Sequence, residues 1–91
     1  SELVRLPIPP LTQERRKDLA KTVGKQTEEA RVAIRSARRD AMDLLKEAEK
    51  GKEISEDERK KGEKSIQDLT DRYIAQVEEV AKSKEKEIME L

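Results

Sequence analysis

The segment "RVAIRSARRD", Arg31 to Asp40, holds four of the chain's nine arginines and none of its twelve lysines. Guanidinium groups gathered at this density are suited to binding anions. The planar fork meets two oxygens of a phosphate or carboxylate at once, where a lysine ammonium offers a point charge. On a helix, Arg35, Arg38 and Arg39 all fall within about 80° of Arg31, so the four form one ridge about two turns long. Their neighbours three and four residues away differ. Arg31 can reach Glu28 and Arg39 can reach Asp43. Arg35 has Arg31, Val32, Arg38 and Arg39 around it, and Arg38 has Ile34, Arg35, Ala41 and Met42. Neither has an acid three or four residues away, and like-charge neighbours at this spacing cost a few tenths of a kcal/mol per pair. One reading is a solvated helix face, the usual meaning of a surface charge run. The other is an anion-binding ridge, with an external anion or acids on a neighbouring helix offsetting the repulsion. The missing partners of Arg35 and Arg38 favour the ridge.

Composition narrows the anion and excludes most other chemistry. No aromatic residue lies beside the ridge, so stacking on splayed bases has no platform, and backbone or shape recognition of a duplex or folded RNA remains. A membrane surface would call for a bulky apolar border rich in Trp or Phe, which is absent, and no apolar run approaches a membrane span. The chain has no cysteine and no histidine, which removes the thiolate nucleophile, the usual general base and the commonest metal ligand. "EISEDERK" lacks the alternating oxygen ligands and central glycine of a calcium loop. The expectation is a binding protein, not an enzyme, with no catalytic residue, no metal and no cofactor.

The elements that position the ridge follow from patterning. Of 91 residues, 46% are charged, 33% are apolar and Tyr73 is the one aromatic, a composition that suits long helices and not a sheet. Residues 1–50 carry 12 bases and 9 acids, and residues 51–91 carry 9 and 12, so the zero net charge conceals a basic half and an acidic half. "LVRLPIPPL" is predicted to be a stiff, extended entry segment, a hinge or a linker, because Pro7, Pro9 and Pro10 fix φ and bias the residues before them. Residues 12–91 are predicted to form a helical domain. Thr12 reads as an N-cap, and a helix is predicted over about 13–50, with an apolar stripe of Leu19, Val23, Ala30, Ala33, Ala37, Ala41, Leu44 and Ala48. Gly51 is placed as the residue just past its end, in a turn over 51–54. Ser55 and Glu58 match a capping box opening a second helix over about 56–90. The short connection makes the two helices antiparallel neighbours. Ile66, Leu69, Tyr73, Ile74, Val77, Val80, Ala81 and Ile88 cover about 140° of the second helix, more than one partner hides. The expected fold is all-α, an antiparallel pair of long helices whose wide apolar arc calls for a further helix from elsewhere in the protein or from another molecule. The missing helix, or another chain, is expected to pack on Ile66, Leu69, Tyr73, Val77 and Val80. The opening "SELVRLP" lacks an initiator methionine, and the chain reads as a piece of a longer protein.

Two stretches, "RLPIPPLTQERRKDLAK" and "EEARVAIRSARRDAMD", followed by "KEISEDE" and the terminal "KEIMEL", resemble the C-terminal half of the ribosome recycling factor family. The similarity runs in order over almost the whole chain, with proline hinge, arginine cluster and capping box at the family's spacing. It implies an L-shaped protein with a three-helix bundle and a small β-rich domain inserted after the first helix. This chain would supply the second and third bundle helices, with residues 1–11 the linker returning from the small domain and Pro9 and Pro10 the hinge. It also implies a translation factor that lies on the large ribosomal subunit across the tRNA sites. Such a factor acts with elongation factor G to split the ribosome after termination. GTP hydrolysis belongs to the elongation factor, which is engaged mainly through the small domain. By position, Arg31, Arg35, Arg38 and Arg39 would contact ribosomal RNA, in the cytoplasm of a bacterium or within an organelle. The alternative is a structural antiparallel coiled-coil hairpin that docks on a protein partner, its arginines meeting that partner's acids.

Overall fold

A computed structural model describes residues 12–90, which form two helices: α1, Gln13–Lys50, and α2, Glu56–Glu90. The predicted extended segment and its Pro9–Pro10 hinge lie outside the described residues. Thr12 has extended backbone, and its Oγ1 accepts from the amide of Arg15 at 3.0 Å, so one orphan donor of the first turn is satisfied. At 38 residues, α1 is about 57 Å long. Its end closes with the Gly51 amide bonded to the Glu47 carbonyl at 2.9 Å and the Glu53 amide bonded to the Ala48 carbonyl at 2.8 Å. The left-handed residue of this turn is Lys52, with φ 61°, while Gly51 has φ −81°. The glycine therefore does not occupy the position that needs its freedom. It stands one residue too early, and Lys52 bears the unfavourable conformation.

The capping box forms in both directions. The Glu58 amide donates to Ser55 Oγ at 3.1 Å, and the Ser55 amide donates to Glu58 Oε1 at 2.9 Å. Arg59, in the next turn, donates to Glu49 at the end of α1 and to Glu63 on its own helix, the latter at 2.6 Å. This clamp ties the start of α2 to the end of α1 and folds the chain back on itself. At the far end Arg16 of α1 donates to the carbonyl of Met89 at 2.7 Å. The last turn of α2 has no basic residue of its own, so Arg16 supplies the cation that its exposed carbonyls and helix dipole favour.

Between these clamps the helices pack along a seam. In α1 the half-buried positions include Leu19, Val23, Thr27, Ala30, Ile34, Ala41, Leu45 and Ala48, spaced by threes, fours and one seven. In α2 they include Ile66, Ile74, Val77 and Ala81, with Thr70 and Ile88 buried. Near the turn the helices approach closely at Gly62. A Cβ there would stand 2.9 Å from Leu45 Cδ1, inside van der Waals contact.

The predicted stripe on α1 needs correction. Ala33, Ala37 and Leu44 are exposed, and Ile34 and Leu45 pack in their place. The helix carries two adjoining apolar rows, and periodicity alone merges them into one. Where α2 docks decides which row is covered.

Among the described residues Ile88 and Thr70 alone are buried. On α2, Leu69, Tyr73 and Val80 remain 47%, 50% and 59% exposed. One partner helix hides one edge of the α2 arc and leaves the other wet. A hairpin this thin removes little apolar surface from water, and burial of that surface is the main force available to hold helices together.

Candidate nucleic-acid interface

The hairpin has two open sides, and they differ in chemistry. On one side the seam opens into an apolar groove of about 450 Å³ whose walls include Val23 and Ala30 from α1 and Tyr73, Val77 and Val80 from α2. On the other side lie the arginines. The helical repeat fixes this division: seen down α1, the α2 contact row lies between the exposed row of Ala33, Ala37 and Leu44 and the arginine ridge. A further helix seated in the apolar groove would leave the arginine side open.

The four arginines are not equivalent. Arg31 is half-buried, its side chain 27% exposed, and each of its three side-chain nitrogens donates to a carboxylate. Nε donates to Glu78 Oε1 at 2.5 Å, Nη2 to Glu78 Oε2 at 2.9 Å, and Nη1 to Glu28 Oε2 at 2.9 Å. The bond to Glu78, reinforced by Glu28, raises the Arg31 pKa above its ordinary value. The same bond holds the Glu78 carboxyl below the usual carboxylate range, with Arg35 and Lys82 adding to the effect. Arg31 is therefore a bidentate clamp between the helices, and its charge is already matched.

Arg35 and Arg39 project into solvent, and neither makes an ion pair or side-chain hydrogen bond with a described residue. The within-helix partner expected for Arg39, Asp43, does not engage it. Arg38 is also without such a partner, but it is half-buried, where a purely outward ridge position was expected. It stands four residues beyond Ile34 in the contact row, which accounts for its partial burial, and it lines the edge of the seam. That edge opens into a slot walled in part by Arg38, Arg39, Lys46 and, from α2, Lys64. Three guanidinium groups thus make no ion pair with the described residues, clustered over little more than one helical turn.

Sequence reasoning found Glu28 but missed Glu78, 47 residues away from Arg31. The signal was present in the turn: Arg31 with Glu78, Leu45 with Gly62 and Glu49 with Arg59 are each roughly equidistant from it. Folding the chain at the turn would have paired them. The described residues hold no group of three or more acidic, histidine or cysteine side chains arranged to bind a metal. They also include no helix long and apolar enough to cross a membrane.

Comparison with known proteins bears on this arrangement. The family model described as ribosome recycling factor matches residues 1–89. A ribosome-recycling factor of Erythrobacter litoralis is 56% identical over 88 residues, covering 97% of this chain and 48% of that protein. One from Symbiobacterium thermophilum is 53% identical over 90 residues, covering 99% and 49%. One from Novosphingobium aromaticivorans is 60% identical over 86 residues, covering 94% and 46%. The chain spans about half the length of the relatives it matches.

Proposed function

The chain belongs to the ribosome recycling factor family, and from that premise we propose that it is the RNA-facing part of a translation factor. In this reading it binds the large ribosomal subunit across the tRNA sites. Together with elongation factor G it separates the subunits of the post-termination ribosome, in the cytoplasm of a bacterium. It acts as a binding wedge and performs no catalytic step; nucleotide hydrolysis falls to the elongation factor.

The observation that carries this reading is the set of unmatched guanidinium groups on Arg35, Arg38 and Arg39. Crowded charges that make no ion pair with the described residues gain most from an external polyanion, and planar forks suit phosphate oxygens. Arg31 belongs to the same ridge, but its role is to hold α1 against α2 through Glu78. The exposed Leu69, Tyr73 and Val80, with Val77 lining the groove and the half-buried Ile66 further along α2, are where a further bundle helix from the rest of the protein would sit. Residues 1–11, with Pro9 and Pro10, would be the hinge leading to a second domain, the main contact for elongation factor G.

The test is binding of the full chain to isolated large ribosomal subunits, wild type against Arg35→Ala plus Arg38→Ala, with helicity followed by circular dichroism. The expected result is a clear loss of affinity in a variant that remains helical, with a shallower salt dependence. Unchanged binding by the folded double variant refutes the assignment and leaves a helical hairpin for a protein partner as the better description.

A further inference from the structure

The basic surface does not stop at α1. Beside Arg38 and Arg39 the two helices leave an open slot of about 510 Å³, with Lys46 on the α1 wall and Lys64 on the α2 wall. Lys64 is 26 residues from Arg38 in sequence, and the hairpin alone brings them to one groove. Two acids, Asp43 and Glu63, also line it. Glu63 is occupied, accepting from Arg59 Nη1 at 2.6 Å. Asp43 makes no ion pair with a described residue, so it is the one uncommitted acid set against four bases. Lys64 is held loosely, 3.4 Å from Asp68 with its side chain 78% exposed. An exposed pair of this kind contributes little and yields readily to a stronger anion.

We propose that this slot is a second phosphate-binding subsite, in which Lys64 and Lys46 join Arg38 and Arg39 to flank the sugar-phosphate backbone of folded RNA. The proposal rests on the reading that the ridge faces RNA and extends it from one helix to both. A ridge on α1 touches a strand from one side. The slot places cations on both walls, so a backbone crossing the seam is neutralised from two directions. With no aromatic residue lining it, the slot has nothing on which a base could stack. Recognition is therefore of the backbone and insensitive to sequence.

The experiment measures the salt dependence of binding to large ribosomal subunits for the full chain carrying Lys64→Gln, Lys46→Gln or Asp43→Asn. Lys25→Gln serves as a charge-matched control, because Lys25 lies beside Glu28, Glu29 and Val32, away from the slot. One phosphate contact contributes about 0.7–0.9 to the log–log salt slope. Each slot lysine variant should therefore flatten the slope by about that amount and weaken binding about five- to eightfold at 0.1 M salt. Asp43→Asn should strengthen binding, and Lys25→Gln should match wild type. If Lys64→Gln behaves like Lys25→Gln while Arg35→Ala plus Arg38→Ala still loses affinity, the slot is overturned and the α1 ridge stands. If the arginine variant is silent as well, both readings fall together.

Discussion

Glu78 holds Arg31 away from any external ligand, so removing the Glu78 charge should strengthen RNA binding while it weakens the hairpin. Arg31 makes two bonds to Glu78, at 2.5 and 2.9 Å, and one to Glu28 at 2.9 Å. With the clamp closed, three arginines are free to meet phosphate, namely Arg35, Arg38 and Arg39. At about 0.7–0.9 per contact they contribute roughly −2.1 to −2.7 to the log–log salt slope. Glu78→Gln keeps the side chain's size, removes the charge and releases Arg31 from its stronger anchor. The arginine contribution should then steepen to roughly −2.8 to −3.6. The paired variant Arg31→Gln plus Glu78→Gln removes the clamp at constant net charge and should leave the slope near that of wild type. Arg35→Gln should flatten it by one contact. The assay is equilibrium binding to large ribosomal subunits between about 0.05 and 0.2 M salt, with circular dichroism confirming that each variant is helical. A slope for Glu78→Gln that is unchanged or flatter, in a helical protein, refutes the division between a clamping Arg31 and three ligand-facing arginines. So would equal losses from Arg35→Gln and from the charge-conserving pair.

Other consequences concern the hairpin itself. The Glu78 carboxyl has a lowered pKa in the folded state, so its contribution to stability is present above the ordinary carboxylate pKa of about 4.3 and is lost as pH falls through the lowered folded value. Denaturant melts across pH should show the gap between wild type and Glu78→Gln closing below about pH 4. Gly24 and Gly62 should respond oppositely to alanine. A Cβ at Gly24 meets nothing within 4 Å, so Gly24→Ala should stabilise by about 1 kcal/mol. At Gly62 the same gain is set against Leu45 at 2.9 Å, where overpacking costs about 1–3 kcal/mol, and Gly62→Ala should melt below Gly24→Ala. Ser55→Ala removes the acceptor for the Glu58 amide and should cost about 1 kcal/mol, lowering the midpoint of thermal unfolding by about 4–8 °C.

What the sequence determined alone is whatever depends on residues within a turn of one another. Thr12 caps α1 and Ser55 with Glu58 caps α2, because each bond closes over three residues and needs no distant partner. The absence of histidine and cysteine, the crowding of Arg35 and Arg38, and the excess width of the α2 apolar arc are likewise properties of the chain as written. The tertiary structure decided everything that turns on docking. It selected Ile34 and Leu45 over Ala33, Ala37 and Leu44 as the packed row, because two apolar rows lie side by side on α1 and one helix covers one of them. It gave Arg31 the carboxylate of Glu78 and brought Arg38 to the edge of the seam opposite Lys64. It also put the left-handed residue of the turn at Lys52 and not at Gly51, where closure of the hairpin outweighs local preference. The crowding of the arginine segment was legible from its own neighbours. Which of its arginines are held in an ion pair was decided only by the helix folded against it.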